Sequence, residues 1–190
     1  TPAGWAFVES RVDIDSFIDF VVSESFANNT SWKHNREMWK AHAPGSKWRW
    51  FLPDMDRTFK NSSINSNEFD DLLRNDALLD RIKNQPTFQA RLAQRYAAHV
   101  ATTFAPSRIA NIVDELGSPS RRPEPFWKTK WSGSIDADQQ ATDLQEIKDY
   151  TTERVTAVHD EISSELGIGD AVDLSLAVTG SGTVSLAGVP

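Results

Sequence analysis

One run, Lys47-Trp48-Arg49-Trp50-Phe51-Leu52-Pro53-Asp54-Met55-Asp56-Arg57-Thr58-Phe59, constrains the chain more than any other. Trp48, Trp50 and Leu52 alternate with Arg49, Phe51 and Pro53, which is the period of a strand with one aromatic face. The strand runs into Asp-x-Asp. Two carboxylates just past a buried strand can hold a hard cation such as Mg²⁺ through oxygen. Upstream lies an Asn-rich loop, Asn28-Asn29-Thr30-Ser31-Trp32-Lys33-His34-Asn35-Arg36, followed by a Pro44-Gly45 turn. Amide oxygens can share a cation with carboxylates. The same residues also suit an Asx-turn cluster with no ligand, and chemistry alone leaves both readings open.

The stretch from Asn29 to Phe59 resembles the core of the CotH kinase family, the spore-coat-protein-H-like atypical protein kinases. The family pattern is roughly Asn-Thr-Asp-Trp-Pro-x-Asn-Asn, an aromatic run, Lys-Trp-Arg-aliphatic, then Asp-x-Asp-x-x-Phe. Asn29-Thr30-Ser31-Trp32-Lys33-His34-Asn35-Arg36 and Lys47 to Phe59 correspond in residue type and spacing. The resemblance implies ATP-dependent phosphoryl transfer to proteins on a kinase-like scaffold, with Mg²⁺ and ATP as cofactors. It assigns Mg²⁺ to Asp54 with Asn35, and Asp56 close by. It places the catalytic carboxylate at position 31, where this chain has Ser31. A serine cannot act as a carboxylate base near neutral pH. No Asp or Glu lies between Glu24 and Glu37, so a shifted alignment does not restore one. The second paired Asn is replaced by Arg36.

Elsewhere the composition is that of an ordinary globular protein. The chain has 190 residues, 39% hydrophobic and 25% charged, enough for one core and a small appendage. A net charge of −7 argues against a broad nucleic-acid or anionic-membrane surface. There is no cysteine and no apolar run long enough to span a bilayer. The opening Thr1-Pro2-Ala3-Gly4-Trp5 reads as the start of a fragment of a longer protein, in which any leader would lie outside this sequence.

Helical periodicity fills most of the remainder. Ile14, Phe17, Ile18, Val21, Val22 and Phe26 give residues 12–27 one apolar face, with Asp13 or Asp15 at its start. Lys60 to Glu68 is a polar loop. Phe69 to Lys83 reads as helical with a break near Asn75-Asp76, and Pro86 suits the first position of the next helix. Ser107 to Leu116 follows, with Ile109, Ile112, Val113 and Leu116 inward. After a Pro/Ser/Arg loop over 117–133, Ile135 to Leu166 forms a long helix or helix pair, stopped by Gly167-Ile168-Gly169. Phe104, Pro106, Arg108, Ile109, Ile112 and Glu115 also resemble the family, as does Arg154. In the tail, Val172, Leu174, Leu176 and Val178 alternate with polar residues, and Thr179-Gly180-Ser181-Gly182 turns back. That hairpin resembles those opening the β-rich repeats of secreted bacterial proteins. His34, His42, His99 and His159 lack metal-ligand spacing and read as structural or exposed.

The expected fold is therefore mainly α, a kinase-like C-lobe bundle over 1–169 with a short aromatic β element and a β-hairpin over 170–190. No Gly-rich phosphate loop is present, since Gly180-Ser181-Gly182 lies in the hairpin. Two functions follow. One is the phosphoryl-transfer lobe of a CotH-type protein kinase acting on a protein substrate, weakened or inactive because of Ser31 and an absent N-lobe. The other is a non-catalytic structural or binding module of a secreted, surface or coat-like protein.

Overall fold

The computed structural model describes residues 1–118 and 137–169, and in the tail Val172, Leu174, Ser175, Ala177 and residues 179–182. Among the described residues the fold is mainly helical with one small antiparallel sheet. Helix α1 spans Pro2–Arg11 and α2 spans Ile14–Ala27. Strands β1 (Glu37–Trp39) and β2 (Arg49–Phe51) follow. Then come α3 (Glu68–Asn75), α4 (Ala77–Ile82), α5 (Pro86–Ala101) and α6 (Pro106–Leu116). Helix α7, Ala137–Leu166, is the longest of these. No described helix is long and apolar enough to cross a membrane.

The central element is α2. Phe17, Ile18, Val21, Val22 and Phe26 are wholly buried, with Leu72, Leu79, Phe88, Leu92, Tyr96 and Val158 packed around them. Burying each such side chain contributes about 1.5–3 kcal/mol. Asp13 caps the helix by accepting from Ser16 N at 3.3 Å. Polar contacts fasten α2 to α5 on its wet side. Arg95 holds Asp19 through Nε at 2.5 Å and Nη2 at 2.8 Å, and His99 Nε2 lies 2.7 Å from the same carboxylate.

The other end of α2 is secured by α7. Tyr150 donates its hydroxyl to Phe26 O at 2.6 Å. Arg154, with no exposed surface, donates to Ser25 O at 2.9 Å, Phe26 O at 3.3 Å and Ile64 O at 2.7 Å. Its guanidinium also forms a two-pronged pair with Glu161 at 2.6 and 2.8 Å. The last carbonyls of a helix lack partners within it, and one arginine supplies several here.

The helical expectations agree with the structure closely. The break falls at Asp76, Pro86 opens α5, and Gly167 at φ +61 ends α7, with Ile168 N reaching Ser163 O at 3.2 Å. Three points differ. Helix α1 was not foreseen, because its residues show no apolar stripe; Thr1 caps it and Pro2 opens it. Ile112 and Leu116 face outward, 40% and 58% exposed, while Val113 is the buried residue of α6. Finally, β2 is not a buried strand. Arg49 and Phe51 are exposed and Trp50 is half-buried against Phe17, with ring centroids 4.8 Å apart. Among the described residues β1 is the strand paired with it, Glu37 with Phe51, Met38 with Trp50 and Trp39 with Arg49, and Arg49 and Phe51 face solvent. Most of the expected Pro/Ser/Arg loop and of the 170–190 hairpin lies outside the described residues; Val172 and Leu174 are exposed.

Candidate functional site

The loop after α2 is fixed from its first residue. Asn28 adopts the left-handed conformation at φ 55, ψ 50, ending the helix, and its side-chain amide donates to Ser63 O. Asparagine tolerates that region better than most residues. Asn29 is fully buried, and its Oδ1 accepts from Ser31 N at 3.1 Å and Ser31 Oγ at 2.8 Å. The Asx-turn reading of this loop is thus met by Asn29. Asn29 Nδ2 contacts Met55 Sδ at 3.5 Å.

Strand β2 delivers the acidic segment. Its backbone docks on the start of α2, Trp48 N donating to Arg11 O at 2.8 Å and Asp13 N to Trp48 O at 2.9 Å. Trp50 N donates to Ser16 Oγ at 3.0 Å. The chain then turns sharply: Asp54 and Phe59 both have positive φ, at 54° and 55°. For a phenylalanine this conformation is costly and persists only where packing dictates it. Here Phe59 N donates to Ala27 O at 3.0 Å and its ring meets Tyr150 edge-on at 5.4 Å.

These supports bring three sequence-predicted residues together. Asn35 Nδ2 donates to Asp54 Oδ2 at 2.8 Å and lies 3.4 Å from Ser31 Oγ. Asp56 is exposed and does not share the hydrogen bonds that join them among the described residues. Arg36 does not enter the group. It reaches away to Asp76 at 2.6 Å, the residue that also caps α4 by accepting from Leu78 N and Leu79 N at 2.9 Å each. Replacing Asp76 with Ala should cost about 2 kcal/mol, because a good cap is lost and Arg36 is freed together. Urea unfolding checks this. Asp54 is exposed, and Ser31 and Asn35 are half-buried. A cleft of about 590 Å³ is walled by Asp13, Asp15, Asp19, Arg49, Trp50 and Arg95, and none of Ser31, Asn35 and Asp54 lines it.

Under the loop sits a group the sequence reading missed. Trp32, 1% exposed, donates its indole N–H to Glu68 Oε1 at 2.8 Å and to Asp71 Oδ2 at 3.1 Å. Lys33 Nζ reaches Asp71 Oδ1 at 2.9 Å. Glu24 of α2 is completely buried, and neither of its carboxyl oxygens has a hydrogen-bond partner. Burial pushes Glu24 up to about 7; the Asn29 amide alongside opposes this without reaching hydrogen-bond geometry, and the Glu68 charge adds to it. Glu68 is likewise pushed up to about 7 by burial, against the pull of the Trp32 N–H, with the Asp71 charge adding to the shift. The signal was present: Glu24 lies three residues after Val21 and seven after Phe17, on the buried stripe of α2.

A family model described as CotH kinase protein matches residues 3–158 of the chain. The chain belongs to the CotH kinase family. No curated protein matches it, and no solved structure does. The CotH match runs from α1 through most of α7, so it takes in both the loop and the arginine that fastens the end of α2. At the family level this is a kinase-like protein.

Proposed function

We propose that this chain supplies the metal- and nucleotide-facing lobe of a CotH-type protein kinase, weakened or inactive because Ser31 occupies the catalytic Asp position. The observation that carries this reading is the continuous contact from Ser31 through Asn35 to Asp54. Asp54 is exposed and keeps Oδ1 clear of hydrogen bonds among the described residues. Turning the Asn35 amide over would present its oxygen beside the carboxylate. Hard oxygens of this kind suit a Mg²⁺ that keeps waters and takes its other ligands from phosphate. Among the described residues no group of three or more acidic, His or Cys side chains forms an all-protein cage. Asp54 and Asn35 would therefore hold the ion, and Mg²⁺ would neutralise phosphate charge. A phosphate-covering loop and its lysine would come from a preceding N-lobe.

The test is calorimetric titration of Mg²⁺–ATP into the full-length protein and its Asp54→Ala variant. Binding should weaken at least tenfold in the variant. The absence of binding by the unmodified protein would overturn the reading. It would favour the second one, a non-catalytic module of a secreted, surface or coat-like protein. Met38, Trp39, Trp48, Phe51 and Leu52, all 40–49% exposed around the sheet, support that alternative.

A further inference from the structure

We propose that the loop bearing Ser31 and Asn35 is latched to α3 by protons. Glu68 shares one with Asp71 at the Trp32 indole, Glu24 holds a second beneath them, and losing these protons releases the loop. This inference is independent of nucleotide binding.

The geometry comes first. Two carboxyl groups, Glu68 and Asp71, converge on one indole nitrogen, at 2.8 and 3.1 Å. An N–H has a single proton to give. Two ionised carboxylates held that close repel, and the usual resolution is one proton kept between the pair. Asp71 is suited to be the charged member, since Lys33 Nζ lies 2.9 Å from it. Glu68 is suited to be the neutral one, because it is 9% exposed and faces no cation directly. Glu24 has no exposed surface, and among the described residues neither oxygen has a donor within hydrogen-bond geometry, the Asn29 amide lying alongside but short of it. An ionised carboxylate in that position would carry a large desolvation cost, whereas a neutral carboxyl would not. Trp32 is the buried anchor of the loop, so the protonation of its acceptors bears on residues 29–35.

The charged groups that bear on the acids come from α3, the loop and α7, where Glu165 also reaches Asn67 beside Glu68. From α3 there are Glu68 and Asp71, and from the loop Lys33. On the α7 side Arg154 and Glu161 are occupied with each other at 2.6 Å. Both Glu24 and Glu68 are raised from 4.5 to about 7. Partial burial of Asp71 is outweighed by Lys33, the Trp32 indole and Glu68, which hold it below its ordinary value. The sign follows. Between the unfolded and folded values the native state holds protons that the unfolded chain has released, so stability falls as pH rises across that window and is level above it. Each such proton makes the unfolding constant rise by about tenfold per pH unit.

The experiment follows melting temperature from about pH 5 to about pH 8.5 for the unmodified protein, Glu24→Gln, Glu68→Gln and the double variant. Melting should fall up to about pH 7 and then level off, and each substitution should flatten the slope. The second readout is the Trp32 indole N–H resonance in the unmodified protein, identified by its loss in Trp32→Phe. It should shift with a midpoint near pH 7, and Glu68→Gln should abolish that shift. A Trp32 resonance that stays still through neutrality, or titrates identically in Glu68→Gln, overturns the proposal whether or not the variants fold well. Neither readout uses metal or nucleotide, so failure here leaves the Mg²⁺–ATP reading untouched.

Discussion

Ser31→Asp should raise phosphoryl transfer by the full-length protein on the order of 10²-fold or more, the usual contribution of a positioned acid–base group. The local structure has room to respond. Ser31 Oγ now donates to Asn29 Oδ1 at 2.8 Å, a bond an aspartate cannot make. Asn29 Oδ1 would keep the Ser31 backbone N–H, at 3.1 Å, while its amide nitrogen lies between Met55 Sδ, at 3.5 Å, and the buried Glu24. The new carboxylate would therefore turn from Asn29 Oδ1 toward the Asn35 amide nitrogen, 3.4 Å from the present Oγ. The substituted side chain would also keep Asn35 within reach, and through it Asp54. The assay is transfer of labelled phosphate from ATP to a generic protein acceptor, with Asp54→Ala added as a second variant. A gain that vanishes in the double variant fits the proposed site. Unchanged transfer in a correctly folded Ser31→Asp protein would sink the idea that position 31 is the broken one.

The largest loss of stability should follow Arg154→Leu, about 3–5 kcal/mol, the range for breaking a buried ion pair on one side. The substitution strands the Glu161 carboxylate and removes the arginine donors from Ser25 O, Phe26 O and Ile64 O, leaving Phe26 O with the Tyr150 hydroxyl. For a chain of this size that corresponds to a fall in Tm of roughly 6–20 °C. Arg154→Lys should recover part of it, since one ammonium cannot reproduce the planar fork. Thermal melting by circular dichroism measures both. A loss under about 1 kcal/mol for Arg154→Leu would mean that water replaces the guanidinium, and that α2 does not depend on α7 for its end.

Where the fold follows from local chemistry, the sequence was informative. The apolar stripe of α2, the Asp76 break and the glycine stop at Gly167 are each set by neighbouring residues, and each was expected where it occurs. What escaped depends on partners distant along the chain. Strand alternation at Trp48–Leu52 correctly indicates extended backbone, but which face is covered depends on how few strands accompany it. Glu24 looked like an ordinary charged helix residue because nothing nearby in sequence says that it will be buried with Glu68 beside it. The site was partly legible for the same reason. Ser31 and Asn35 are one helical turn apart in number, and Asp54 was named from its motif. That Asp56 stands apart, and that Arg36 turns to Asp76, are decided by the sharp turn at Asp54 and by the α3–α4 junction.

The carbonyls that Arg154 holds at Ser25 and Phe26 lie 129 and 128 positions before it. Closing so long a segment is entropically unfavourable until the packing that rewards it exists. A ribosome delivers the chain from its N-terminal end, so α2 emerges well before the residue that clamps its last turn. The early part of the molecule can collapse around Phe17 and Phe88. The end of α2, from which the Asn-rich loop departs, gains its Arg154 and Tyr150 donors only when α7 arrives.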